Sequence, residues 1–438
     1  MPLIRTLALS LIALILISVS AGAEVREYML DNGLKVLIIE DHKVPLATFQ
    51  IWYRIGSREE TSGKTGLSHL LEHMMFKGTP KYGSKVFSKI IQRNGGVDNA
   101  MTSRDYTMYF QTMSSDRLGL SVELESDRMT NLIMDEKEVL SERDVVKEER
   151  RMRYDDDPQN ALFEKLIATA LMTHPYRRPV IGWMPDISSI RRDDLYRHYK
   201  AYYSPDNAFI VIAGDVDPEE ILKKIKADFG GINKTTLPDR TITKEPEQRG
   251  EKRLYLKKEA EIPSVIMGYH TPSFPHDDSF ALDVLSSILS GGKSSRLYRS
   301  LIYDKKIAIE AGADYDGMYI DPLLFFFWAN AAPEKDINEA EKALQSEINN
   351  IRDNPPTERE VQKAKNQIEA SFIFSQDSLY RQAMNIGRFE ILGGWRLMKD
   401  YLDGIRKVTP ADVRRVAQKY LTEENRTVGI LVPVKSEK

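Results

Sequence analysis

Ile190-Arg191-Arg192-Asp193-Asp194-Leu195 returns 218 residues later as Val408-Thr409-Pro410-Ala411-Asp412-Val413, and the register then holds. Without a gap, Tyr202 meets Tyr420, Asn207 meets Asn425, and the apolar run Phe209-Ile210-Val211-Ile212 meets Thr427-Val428-Gly429-Ile430. Each copy reads as a helix of about ten residues, a turn at the asparagine and then a strand. At the far end of the repeat Val44-Pro45 falls on Ile262-Pro263, each opening a strand-like segment. One register kept at both ends predicts a duplicated domain.

The join between the copies belongs in 230–250, a polar stretch with Pro238 and Pro246 and no sustained apolar period. Within the first copy, Asp31-Asn32-Gly33 is a hairpin turn signal, and Ala47 to Tyr53 alternates as a half-buried strand. Gly66 to Phe76, Asp116 to Leu132 and Ser141 to Tyr154 read as helices, and Leu323 to Trp328 as a short, fully buried strand. Strands and helices mix without a strict βαβ rhythm. The expected class is α+β: two homologous domains, each a mixed, mostly antiparallel sheet with helices packed on it. The expected limits are 24–235 for the first domain, 236–250 for the linker and 251–438 for the second.

The 438 residues are 42% hydrophobic and 29% charged with a formal net charge of −3, enough apolar material for two full cores. No basic excess is available for phosphate neutralisation, so nucleic acid is not an expected partner. The absence of cysteine removes disulfides, thiol nucleophiles, Cys-based zinc sites and a lipidated N-terminal cysteine. Residues 1–23 have the parts of a cleaved export signal: Arg5, an apolar run from Thr6 to Ser20, and Ala21-Gly22-Ala23. Cleavage after Ala23 would leave an exported chain with no stable membrane anchor. An exported protein without cysteine suits a bacterial periplasm.

The chemistry is concentrated in His69-Leu70-Leu71-Glu72-His73. On a helix, histidines at i and i+4 project from one face a turn apart. That spacing lets both imidazoles reach one zinc ion at about 2.0–2.1 Å, with Glu72 beside them as a proton acceptor. A His₂ site without cysteine needs a carboxylate or a further histidine as third ligand. The acidic segment Ser141 to Tyr154 is the obvious source. Glu142 and Glu149 lie on one helix face two turns apart, and spacing alone does not choose between them.

His69 to His73, followed by Met74-Met75-Phe76-Lys77-Gly78-Thr79, resembles the pitrilysin (insulinase) family of zinc metallopeptidases, particularly its mitochondrial-processing-peptidase-like branch. Gly95-Gly96-Val97-Asp98-Asn99-Ala100-Met101-Thr102 is similar to that family's Gly-Gly-x-x-Asn-Ala-x-Thr segment, and Glu142 to Glu149 to its acidic helix. His174-Pro175-Tyr176 and Ile181-Gly182-Trp183 fit as well. The resemblance implies Glu149 as third zinc ligand and Glu142 as a carboxylate supporting the site. It further implies Asn99 and Ala100 on a strand edge that pairs with extended substrate.

At the 218-residue offset His69, Glu72 and His73 meet Ser287, Ser290 and Gly291, so the second domain is expected to keep the fold and lose the metal. In the family an Arg near this point, followed thirteen residues later by a Tyr, holds substrate near the zinc. Arg296 matches the Arg, but Ile309 stands where the Tyr belongs, with Tyr298, Tyr303 and Tyr315 as candidate substitutes. The resemblance implies one half of a four-domain chamber, with a second two-domain subunit supplying a complete Arg/Tyr pair, a heterodimer before a homodimer. The expected activity is that of an exported endopeptidase with one Zn2+ per chain, cutting peptides or unfolded segments. A non-catalytic assembly or clamp subunit of the same fold, or a zinc amidase acting on cell-wall peptides, is the competing expectation.

Overall fold

The computed structural model describes residues 24–240 and 242–434. The export signal expected at 1–23 lies outside them. Two sheets organise the chain. The first holds β1 (Val25–Met29), β2 (Lys35–Glu40), β3 (Leu46–Tyr53), β4 (Val97–Thr102), β5 (Thr107–Ser114) and β6 (Ala208–Gly214) in the order β1-β2-β6-β3-β5-β4. The second holds β7 (Lys252–Glu259), β8 (Ser264–Thr271), β9 (Ala308–Asp314), β10 (Leu323–Ala331) and β11 (Arg426–Val434) in the order β7-β11-β8-β10-β9. Among the described residues only β2–β6 and β7–β11 are parallel pairs. The second sheet is the first without β1.

The repeat is structural. A shift of 218 carries β3 onto β8 and the helix Arg192–Tyr202 onto Pro410–Tyr420 at both limits. The same small contacts recur. The Arg191 amide donates to the Asp194 carboxylate at 3.0 Å, and the Thr409 amide to Asp412 at 3.1 Å. The side-chain amide of Asn207 donates to the Tyr202 carbonyl at 2.8 Å, that of Asn425 to the Tyr420 carbonyl at 2.7 Å. These bonds satisfy groups at the two ends of a helix, which is why the asparagine could be read as the turn.

One face of each sheet is covered by its own helices. Phe49, Ile51, Leu70, Leu71, Val146 and Ile210 belong to the first core. Val265, Met267, Leu285, Phe325, Phe327 and Val416 belong to the second. The other faces are covered reciprocally. Helix Leu379–Leu392 of the second half sets Ala383 and Ile386 against Trp52, Phe209 and Val211. Helix Pro158–Ala170 of the first half sets Leu162 and Leu166 against Ile266, Leu324 and Leu431. Gly387 permits the first of these contacts, because a Cβ there would stand 2.3 Å from the Trp52 indole.

This exchange corrects the reading of β3 as half-buried: every residue from Ala47 to Tyr53 is buried. Its polar face, Thr48 and Gln50, is covered by the borrowed helix, where Gln50 donates to the Tyr380 carbonyl at 3.0 Å. Glu390, itself buried, receives Lys35 at 2.7 Å and Arg54 at 2.8 Å across the same junction. The expected helix from Ser141 starts earlier, at Glu136, because Asp135 accepts from the amides of Lys137 and Glu138. No regular element among the described residues lies between Phe229 and Lys252. Among the described residues no helix is long and apolar enough to cross a membrane.

Candidate metal centre

The helix Leu67–Met74 buries Leu67, Leu70, Leu71 and Met74 and turns His69, Glu72 and His73 to the other side. Its first turn offers amides that need partners. The buried Glu60 carboxylate supplies them, accepting from Gly66 at 2.8 Å and Ser68 at 2.7 Å. The acidic helix Glu136–Arg150 packs alongside through Val139 and Val146. Arg150 anchors its far end with bonds to Glu164 at 2.8 and 2.9 Å and to the Gly182 carbonyl at 3.0 Å.

These two helices bring His69, His73 and Glu149 together, with one ligand atom of each lying within 4.8 Å of the others. Glu149 Oε2 is 3.5 Å from His73 Nε2 and 3.9 Å from His69 Nε2. A tetrahedral ion with bonds of about 2.0–2.1 Å holds neighbouring donors about 3.3–3.4 Å apart, so the set fits zinc with little adjustment. The other Glu149 oxygen is taken by Arg153 at 3.1 Å, which leaves Oε2 turned to the imidazoles. Glu142, the alternative that spacing left open, sits behind the site. Its Oε1 is 2.9 Å from His73 Nδ1 and its other oxygen meets Lys77. That contact fixes the ring so that Nε2 faces the ligand position.

The titration of the three donors follows from these contacts. Burial, with His73 close by, pushes His69 down to about 4, so its imidazole is neutral at pH 7. Burial lowers His73 too, but hydrogen bonds to Glu142 and Glu149 outweigh it and lift the ring to about 9. Metal uptake therefore releases a proton from His73. The hydrogen bond with His73, ahead of the opposing effect of burial, holds Glu149 below the usual carboxylate range. Burial raises Glu142, and His73 and Lys77 more than reverse it. Burial raises Glu72, partly offset by the hydroxyl of Thr102, which donates to its Oε2 at 2.5 Å.

Thr102 ends β4, the edge strand of the first sheet. Asn99 and Ala100 lie in the same strand, Asn99 exposed and Ala100 half-buried. The available signal for Thr102 was its place as the last residue of the Gly95–Thr102 segment. Lys77 and Arg153 were missed because surface-type cations at those spacings carry no distinguishing pattern. Arg296 is not brought to this centre. It forms a two-point pair with Glu360, at 2.8 and 3.0 Å, in the second half. Ile309 is exposed on β9, and of its candidate substitutes Tyr315 is buried and donates to the Pro272 carbonyl at 2.6 Å. Tyr303 is 67% exposed and Tyr298 half-buried.

Comparison with known proteins gives the same answer from a different direction. The family model for insulinase (peptidase family M16) matches residues 35–183, and the model for the M16 inactive domain matches residues 189–368. The chain belongs to the insulinase family, M16. It is 32% identical to the zinc protease PqqE of Helicobacter pylori over 97% of this chain and 98% of that protein. It is 26% identical to the zinc protease YmxG of Bacillus subtilis over 91% of this chain and 96% of the relative. The crystal structure of a protease from Helicobacter pylori superposes with a TM-score of 0.90 at 32% identity, covering 94% of this chain and all of that one. The periplasmic protease PqqL of Escherichia coli shares the fold with a TM-score of 0.78 at 18% identity, and there this M16 chain covers only 48% of the other. The inactive-domain match begins before β6, so it straddles the two sheets of this M16 protein.

Proposed function

We propose that this chain is an exported zinc endopeptidase, one half of a chamber completed by a second two-domain subunit. The observation that carries the reading is the single Glu149 oxygen facing the Nε2 atoms of both His69 and His73. His69, His73 and Glu149 would hold a zinc ion, which would supply Lewis acidity and a more acidic water there. Glu72 is the acid–base group. Its carboxylate, held by Thr102, takes the proton of the attacking water and returns it to the leaving amine. Glu142 keeps His73 oriented and its Nδ1 proton in place. The edge strand β4, which ends at Thr102, positions an extended peptide beside Glu72 through Asn99 and Ala100.

Export rests on residues 1–23, and cleavage there delivers the chain to the periplasm. A partner is favoured because Arg296 is engaged by Glu360 and Ile309 replaces the expected tyrosine. The coverage of less than half of the PqqL chain is in line with such pairing. The deciding experiment is peptide cleavage by zinc-loaded chain, read by mass spectrometry, with Glu72→Gln alongside. Glu72→Gln is expected to retain stoichiometric metal and to lose about 10²–10⁴-fold in turnover; unchanged turnover eliminates the mechanism. Sedimentation of the active species tests the partner, and a fully active monomer overturns it.

A further inference from the structure

A groove of about 390 Å³ lies between helix Pro158–Ala170 and the outer face of the second sheet, away from the metal donors. Strand register lays out its floor in rows. Glu310, Asn330 and Ser264 form one row, Gly312, Trp328 and Ile266 the next, then Asp314 and Phe326. Each row advances two residues, so Glu310 and Asp314 stand about 13 Å apart, the length of about four extended residues. Trp328 lies flat over Gly312, where a Cβ would come within 2.3 Å of the indole. Phe163 of the helix forms the opposite wall, 4.8 Å from Phe326 between ring centroids, yet it remains 37% exposed.

One lining residue ties the groove along the chain to the metal centre. Arg104, at its near end, is two residues beyond Thr102, the residue that holds Glu72. Its guanidinium sits 5.8 and 5.7 Å from the Tyr176 and Tyr319 ring centroids. At the far end the Ser264 hydroxyl is buried, lines the groove and has no hydrogen-bond partner among the described residues. A buried hydroxyl without a partner is costly unless something else fills that need. The rim is acidic. Glu310 accepts from the Asn330 amide at 2.9 Å, and burial, with Asp316 close by, pushes Asp314 up.

Resting on the peptidase reading, we propose that this groove is a specificity site for an extended substrate segment. It takes a large apolar side chain between Phe163, Phe326 and Trp328, and its carboxylate rim rejects acidic neighbours. An aromatic or leucine side chain fills the apolar floor. The peptide backbone beside it meets Arg104.

The test uses zinc-loaded chain and a set of fluorogenic decapeptides in which one position at a time is Phe, Leu, Ala, Lys or Glu. At one position Phe and Leu are expected to exceed Ala by at least about tenfold in kcat/KM. Phe163→Ala is expected to shrink that ratio to about threefold or less. Glu310→Gln with Asp314→Asn is expected to relieve the penalty on Glu at the adjacent position. A ranking that Phe163→Ala leaves intact overturns the proposal. The same peptides are titrated by anisotropy onto Glu72→Gln, where no turnover is needed. If the unmutated chain cleaves no peptide, turnover needs the partner subunit and the groove is judged by binding alone. The groove still stands if Phe peptides bind Glu72→Gln more tightly than Ala peptides and Phe163→Ala removes the difference. Equal binding, or none, overturns it.

Discussion

In the first half His69 and His73 face Glu149; 218 residues later the same three positions are Ser287, Gly291 and Gln367. The backbone frame survives and the contacts survive in neutral form. The Ser287 hydroxyl donates to Gln367 Oε1 at 3.4 Å, and the Gln367 amide donates to the Gly291 carbonyl at 3.3 Å. Glu142 has its counterpart in Glu360, which takes Arg296 where Glu142 takes His73. The hydrogen bond from Arg296 holds Glu360 down to about 2. A serine, a glutamine and a glycine can hold two helices together as well as a metal does, but they offer no soft nitrogen donors and no ligand charge. The pairing of helices is therefore the property of the fold, and the metal-donor set is an addition made in one copy.

That contrast can be broken from either side. The largest effect is expected from giving the first half the residue of the second: Glu149→Gln should take metal content from stoichiometric to none by elemental analysis, with the fold intact by circular dichroism. Retained zinc would mean that the neutral amide suffices and that charge is not the distinction. The reverse graft, Ser287→His, Ser290→Glu, Gly291→His and Gln367→Glu, should add no second equivalent. A Cβ at position 291 would stand 2.4 Å from the Ser287 carbonyl, so His at that site displaces the helix end. A second bound ion would show that side chains alone decide. Glu142→Gln is a smaller change, expected to weaken metal affinity by about 10–100-fold in a chelator competition.

The smallest effect concerns stability. Glu60 and Asp278 occupy the same place in the two repeats, both buried, Glu60 ahead of its helix and Asp278 as the first residue of its own. Burial raises Glu60 to about 8 in spite of the amides of Ser68 and Gly66. Burial also raises Asp278, but Lys419, Tyr420 and Arg415 bond to it and hold it well below the carboxylate range. Asp278 is thus depressed on folding, and its stabilisation is present above its unfolded pKa of about 3.9 and lost as pH falls through the folded value. Asp278→Asn should cost about 1–2 kcal/mol at pH 7, since Arg415 and Lys419 are half exposed, and the difference should shrink in acid. Glu60 has the opposite sign, its contribution full below about 4.3 and lost as pH rises through about 8. Urea titrations of Asp278→Asn and the unmutated chain at pH 3 and pH 7 check the first sign, and a constant difference would refute it.

Much of this was legible because it is local. The repeat shows itself in helix caps and a turn asparagine, whose bonds span three to five residues. The spacing of His69 and His73 needs only one helix to place both rings on a side. Other features were not legible. Whether Glu142 or Glu149 is the ligand depends on where two helices approach, and either is reachable from the same face. The burial of β3 on both sides came from a helix more than 300 residues away in the chain, which a strand's own alternation does not reveal.

By itself, then, the sequence determined what lies within reach of one element: the duplication, the two imidazoles with Glu72 beside them, and the missing metal motif in the second copy. Tertiary structure decided which elements meet. It set Glu149 Oε2 before the imidazoles and Glu142 behind them, joined Thr102 to Glu72 across thirty residues, and tied Arg296 to Glu360. It also made each half cover the other's sheet. The physical reason is range: dihedral preferences and periodicity act over a few residues, whereas packing of apolar faces selects among many distant partners at once.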